Sequence, residues 1–139
     1  MDKVIVVRLP VGRDGQLSPR LVTALLRGLT AVNVELLRDD PSLFLRAARA
    51  HYRREPFGTE DWQTAYSMAV TGDGDCEDFG SLWAAAMQLA GDPYAEAVAT
   101  PMGQESRPPY RRILHITSRG NGLEIDPSMI AVLRERMGL

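Results

Sequence analysis

One cysteine and two histidines in a chain of 139 residues leave little room for several kinds of chemistry. A single thiol excludes an internal disulfide and a cysteine-rich zinc module, and it fits a reducing compartment. Long apolar runs are missing too. The stretch Val4-Ile5-Val6-Val7 is far too short for a signal-peptide core or a membrane span. Nor is there an excess of charge of one sign. A net charge of −2 carries no electrostatic footprint for nucleic acid or an anionic membrane. Repeats and low-complexity segments are absent. These absences describe a protein that is cytoplasmic where it is made, with neither nucleic acid nor membrane as partner, although packaging into a particle stays open.

What is present is an ordinary globular composition, 45% hydrophobic and 24% charged, enough for one domain over residues 1–139 with a real core. Residues 3–9 are β-branched and end at Pro10, which reads as a strand, and residues 11–16 with Gly12, Asp14 and Gly15 as a turn. Ser18 followed by Pro19 is a helix cap with proline at the first helical position. Leu21, Val22, Leu25, Leu26, Leu29, Val32 and Leu36 continue at helical spacing to about residue 38, with Gly28 and Asn33 as weak points. Asp40-Pro41 repeats the cap signal, predicting a helix over 41–54 with His51 on its apolar stripe and Arg46, Arg49, Arg53 and Arg54 outside it. Residues 55–59 are a connection. Thr59-Glu60-Asp61-Trp62 then opens a short helix to about residue 70. A glycine–aspartate loop leads to a helix from Cys76 to residue 89 or 90, stopped by Gly91 and Pro93. Strands over 94–100, 111–118 and 123–126 follow, with a loop at 101–109, a tight turn at 119–122 and a last helical turn or two from Pro127. Strand, helices, then an antiparallel sheet make the fold class α+β.

The chemistry gathers at Gly72-Asp73-Gly74-Asp75-Cys76-Glu77-Asp78. A thiol at a helix N-terminus faces partial positive charge and unpaired N–H groups, which favour thiolate. The glycines allow close backbone approach to a substrate, and the Cys76 N–H can serve as one oxyanion donor. Gly80, one turn on, leaves room beside the sulfur. Asp75, Glu77 and Asp78 act the other way, because negative charge raises a thiol pKa. The nucleophile reading therefore requires an imidazolium nearby; without one, a lone cysteine reads as inert packing.

The hairpin offers that partner. If its two-residue loop is Gly120-Asn121, His115 and Asp126 lie directly opposite each other. If the loop is Asn121-Gly122, Asp126 pairs with Thr117 and lies diagonal to His115. Both registers put the two side chains on one sheet face, and a three-residue loop would separate them. An aspartate beside a histidine fixes the tautomer and stabilises the imidazolium, so Cys76, His115 and Asp126 make a candidate triad. Gln63 and Trp62 are candidates for a second oxyanion donor. No metal or cofactor is expected. Asp73, Asp75 and Glu77 alternate as in a calcium loop, but the glycine at its sixth place is missing and Ala84 stands where its bidentate glutamate belongs.

These residues carry a family resemblance. Gly74-Asp75-Cys76-Glu77-Asp78, then His115 in a strand, then Leu123-Glu124-Ile125-Asp126-Pro127-Ser128 resembles the transglutaminase-like branch of the papain-like cysteine enzymes. That branch reads GDCxD at a helix start, H in a strand and DP closing the next strand. Tyr52-Arg53-Arg54-Glu55 and Glu60-Asp61-Trp62-Gln63-Thr64 are similar to the small members encoded in bacteriophages and prophages. The resemblance covers about residues 32–129 and leaves the first strand and helix outside. It implies a papain-like core with the nucleophile helix packed on a small antiparallel sheet. Cys76 would be nucleophile, His115 general base and acid, and Asp126 the orienting carboxylate. Family members act as peptidases, amidases, deamidases or cross-linking acyltransferases, and some are inactive scaffolds; Ile116 replaces a frequent aromatic. The expectation is a cysteine hydrolase or acyltransferase acting on a protein or peptide substrate. The rivals are a non-catalytic phage virion or assembly protein in contact with phage structural proteins, and a phosphate or nucleic-acid binder using the arginines of 46–54.

Overall fold

Five helices and seven short strands make up the described part of the chain, in the order β1 (Val6–Arg8), α1 (Pro19–Asp39), α2 (Leu43–Ala48), β2 (His51–Tyr52), β3 (Asp61–Gln63), α3 (Ala65–Thr71), β4 (Asp73–Gly74), α4 (Cys76–Leu89), β5 (Glu96–Gln104), β6 (Arg112–Gly120), β7 (Leu123–Ile125) and α5 (Pro127–Arg136). The computed structural model describes residues 6–8, 18–54, 61–104, 106–107 and 112–139. The outer ends of the strand read over 3–9, the loop at 11–16 and the connection at 55–59 lie outside the described residues. The class is α+β, with three sheets among the described residues: β1 antiparallel to β3, β2 parallel to β4, and the antiparallel meander β5-β6-β7.

Helix α1 starts where the Ser18-Pro19 signal places it, the Ser18 side chain accepting from Leu21 N–H at 3.1 Å, a cap that contributes about 1 kcal/mol. It runs unbroken through both expected weak points. Gly28 meets no neighbour, and Asn33 is fully buried because it is a polar joint between elements. Asn33 Nδ2 donates to Ser81 Oγ on α4 at 3.3 Å, and its Oδ1 accepts the N–H of Ala65, the first residue of α3, at 2.8 Å. The buried face is Val22, Leu26, Leu29, Val34 and Leu37, while Leu21, Leu25 and Val32 are exposed.

Helix α4 is the element the core is built on. One apolar cluster joins Val34 and Leu37 of α1, Leu43 and Ala47 of α2, Met68 of α3, Phe79, Leu82 and Ala85 of α4 and Ala131 of α5. A second joins Val22, Leu26 and Leu29 of α1, Trp62, Ala84 of α4, Ala97 and Ala99 of β5 and Ile116 of β6, with Cys76 and Leu114 packed against it. Trp83 of α4 is only partly buried and stacks edge-on against Phe44 with ring centroids 5.2 Å apart.

The helix expected over 41–54 ends at Ala48. Arg134 of α5 caps it, giving Nη1 to the Ala48 carbonyl at 3.0 Å and Nη2 to those of Arg49 and Ala50 at 2.6 and 3.1 Å. His51 and Tyr52 become strand β2 beside Asp73 and Gly74. His51 is therefore not a core histidine: its side chain is 71% exposed and meets Glu135 at 3.2 Å. The short helix expected from residue 59 is replaced by β3, paired with β1, and by α3, whose cap is Thr64. Residues 101–104, read as the start of a loop, extend β5 through a bulge between Pro101 and Gly103. The rest of the loop expected over 101–109 falls largely outside the described residues. The final helix spans ten residues where one or two turns were expected. No helix among the described residues is long and apolar enough to cross a membrane.

Candidate active site

Cys76 is the first residue of α4, so its N–H has no partner within the helix and points out of the N-terminus. A carboxylate lattice built from its neighbours holds this start in place. Asp78 is 1% exposed and accepts from the N–H of Gln63 at 2.7 Å, from Gln63 Nε2 at 3.4 Å and from the Asp75 N–H at 3.1 Å. The last aspartate of the motif thus ties β3 to the first turn of α4. The three acids that sequence grouped together part company here: Asp78 is turned to Gln63, Asp75 is the N-cap, and Glu77 lies on the sulfur.

Gln63 is the centre of this lattice, and that removes it as an oxyanion donor. Its backbone N–H is on Asp78, its Nε2 donates to the Asp73 carbonyl at 3.0 Å, and its Oε1 accepts from Ser67 and Thr71 hydroxyls at 2.8 and 2.9 Å. Trp62 is 2% exposed within the second apolar cluster, against which Cys76 also packs. The space expected beside the sulfur at Gly80 is filled by the sheet. A Cβ there would come within 2.5 Å of Ile116 Cγ2, and the Gly80 carbonyl accepts the Ser118 hydroxyl at 2.8 Å. Glycine at 80 lets β6 lie directly on α4; it does not open a substrate channel.

The hairpin takes the Asn121-Gly122 loop. Gly120 pairs with Leu123, Arg119 with Glu124 and Ser118 with Ile125. Both loop residues have positive φ, +53° and +73°, the combination a type I′ turn demands. Asp92 pins the turn by accepting the Asn121 N–H at 2.6 Å. Continuing this register puts Asp126 diagonal to His115, and the two side chains meet: His115 Nε2 lies 2.7 Å from Asp126 Oδ2. The other carboxylate oxygen caps α5, accepting the Ser128 hydroxyl at 2.8 Å and the Met129 N–H at 3.2 Å. One aspartate therefore fixes both a helix start and an imidazole. Burial pushes its carboxyl up, but the bonds from His115, Ser128 and Met129 prevail and hold its pKa below the ordinary carboxylate value.

Cys76 reaches the same strand one residue on. The Ile116 N–H donates toward its sulfur, and β7 stops at Ile125 opposite Ser118, which leaves that edge of β6 to the cysteine. With Nε2 committed to Asp126, Nδ1 is the imidazole nitrogen left for chemistry. Among the described residues, Cys76 and His115 share no hydrogen bond or ion pair. The thiol instead donates to Glu77 Oε2 at 3.6 Å. Burial is the main force raising the thiol pKa well above its ordinary value; the charges of Glu77 and Asp75 raise it further, and the Ile116 N–H only partly offsets them. At neutral pH Cys76 is a neutral thiol.

Tyr52 was passed over in sequence, where it sits inside the helix expected over 41–54. Strand β2 puts it beside Gly74, two residues before the cysteine. The one signal was its place in Tyr52-Arg53-Arg54-Glu55. The arginines of that region behave as surface charge: Arg46 pairs with Asp40 at 2.6 Å and Arg53 with Asp73 at 3.4 Å, with more than half of each arginine side chain exposed. Among the described residues no three His, Cys, Asp or Glu side chains converge as metal ligands would. No family model, no curated protein and no solved structure matches the chain.

Proposed function

We propose that the protein is a cysteine-dependent hydrolase or acyltransferase of the transglutaminase-like, papain-like kind, acting on peptide, isopeptide or glutamine-type amide bonds of a protein substrate. The observation that carries this reading is the 2.7 Å pair between His115 and Asp126, one residue along β6 from the N–H directed at the Cys76 sulfur. Asp126 holds the imidazole by Nε2, so Nδ1 takes the thiol proton as sulfur attacks the carbonyl carbon. The carbonyl π pair moves to oxygen. When the tetrahedral adduct collapses, the C–N bond breaks and the leaving amine takes the proton from Nδ1. Water then attacks the thioester carbon, giving its proton to Nδ1, and the departing thiolate recovers it. An amine in place of that water would make the same site an acyltransferase; hydrolysis is the default because no amine site is assigned.

Because the resting thiol is neutral, His115 acts as a general base during attack, not as one half of a standing thiolate–imidazolium pair. Incubation with p-nitrophenyl acetate tests the reading. One equivalent of nitrophenolate should be released in a burst, with an acetyl group found on Cys76 by mass spectrometry. Cys76→Ala should show neither. A wild-type protein acylated no faster than a small free thiol sinks it.

A second reading rests on one specific observation, the thiol bond to Glu77 and the raised pKa that accompanies it. It makes the chain a non-catalytic virion or assembly protein that keeps the same fold as an interaction module, in line with the resemblance to small phage- and prophage-encoded members. The burst experiment separates the two.

A further inference from the structure

A carbonyl attacked at Cys76 develops negative charge beside two carboxylates, Asp75 and Glu77, both of which act on the sulfur. The Cys76 N–H alone is a thin counterweight, and Gln63 has no donor to spare. We propose that the Tyr52 hydroxyl is the second hydrogen-bond donor to this oxyanion, opposite the N–H of Cys76. The proposal rests on the nucleophile reading above and adds a catalytic residue to it.

Three features of the structure carry it. The parallel β2–β4 pair sets Tyr52 against Gly74, with the Arg53 N–H on the Gly74 carbonyl at 2.8 Å. Adjacent strands run ~4.8 Å apart, so Cys76, two residues beyond Gly74, lies within the reach of a tyrosine side chain. Strand β2 is itself fastened from the far side, where Glu135 Oε1 accepts the Tyr52 N–H at 2.9 Å. The ring is partly buried and packs on the first apolar cluster, so it is held in place, yet its hydroxyl has no hydrogen-bond partner among the described residues. A half-buried phenol whose O–H has no partner among the described residues, on a strand fastened from both sides and paired with the segment leading into a helix N-terminus, is a preorganised donor.

Its protonation suits the task. Burial, then the Cys76 sulfur once it ionises at high pH, and the charges of Asp75 and Glu77 push the Tyr52 hydroxyl up to about 12. Throughout the neutral range it remains a neutral donor, which stabilises an oxyanion without forming an ion pair with the carboxylates around it.

The test compares two reactions of the same sulfur. Acylation by p-nitrophenyl acetate passes through a tetrahedral oxyanion; alkylation by iodoacetamide does not. Both rates are measured against pH in wild type and Tyr52→Phe and compared at each variant's own thiol plateau. The ring is kept, so packing is preserved. Acylation is expected to fall on the order of 10²-fold, with alkylation changed by less than about 2-fold. Equal losses in both reactions would mean that Tyr52 only positions the helix, and unchanged acylation would mean that it does nothing; either overturns the proposal. Failure of the nucleophile reading looks different and also overturns it: wild type itself would acylate like a free thiol, with or without His115.

Discussion

Replacing Glu77 by glutamine removes the charge that opposes a thiolate most directly after burial. Its Oε2 stands 3.6 Å from the sulfur. At that separation two unit negative charges repel by roughly 1 kcal/mol at the dielectric of water and roughly 4–5 kcal/mol at the effective value of a protein surface. Divided by 1.36 kcal/mol per pKa unit, these bounds are about one to three units. The sign follows from the charge: a thiolate becomes easier to form when a neighbouring anion is deleted, so the pKa must fall. The assay is the rate of iodoacetamide alkylation from pH 5 to 11, fitted for the thiol pKa. Glu77→Gln should shift the curve down by about one unit or more, which raises the rate at pH 7 by about 10-fold or more. A pKa unchanged within about 0.3 unit, or one that rises, would refute the placement of Glu77 on the sulfur and the electrostatic reasoning drawn from it.

Gly80→Ala sets a methyl against Ile116 Cγ2 and should destabilise by about 1–3 kcal/mol in urea unfolding; Gly80→Ala with Ile116→Val should recover part of that loss. Asp78→Asn turns a carboxylate accepting three N–H bonds into a group with a donor facing donors, with an expected loss on the order of 3 kcal/mol by the same method. Gln63→Ala should lose stability of about 1–3 kcal/mol while the plateau rate of acylation changes by less than about 3-fold; a 10²-fold drop would restore Gln63 as an oxyanion donor. The depressed pKa of Asp126 has a defined pH signature. A carboxyl lowered on folding contributes stability that is present above its unfolded value of ~3.9 and is lost as pH falls through the folded value. Thermal melts should therefore show a wild-type advantage over Asp126→Asn at pH 6 that shrinks steadily below pH 4.

Local signals carried much of this architecture. Ser18-Pro19, Asp75 before Cys76, Gly91 after the last turn of α4 and the Asn121-Gly122 loop each encode a helix end or a turn through their own backbone preferences, and each lies where those preferences put it. The pairing of His115 with Asp126 was legible for the same reason, because a two-residue turn dictates register and register dictates which side chains share a face. Residues 49–54 and 61–63 were not legible. Strands β2 and β3 are two and three residues long and exist because β4 and β1 lie alongside them, so no periodicity announces them. The Arg134 guanidinium ends α2 from across the chain, a contact that no local pattern encodes. The acids at 75, 77 and 78 read as one negative patch in sequence; only three-dimensional packing assigns one to capping, one to the thiol and one to Gln63. Gly80 likewise reads as open space until β6 is seen to occupy it.

In the proposed mechanism His115 activates Cys76. That step is tested most directly by the pH dependence of Cys76 acylation by p-nitrophenyl acetate in wild type and in His115→Ala. General-base activation by an imidazole predicts wild-type acylation well below the pH at which the buried thiol itself ionises, and a loss of about 10²–10⁴-fold at pH 7 in the variant. Two superimposable curves, both rising only above pH 9 as a buried and unassisted thiol ionises, would contradict it.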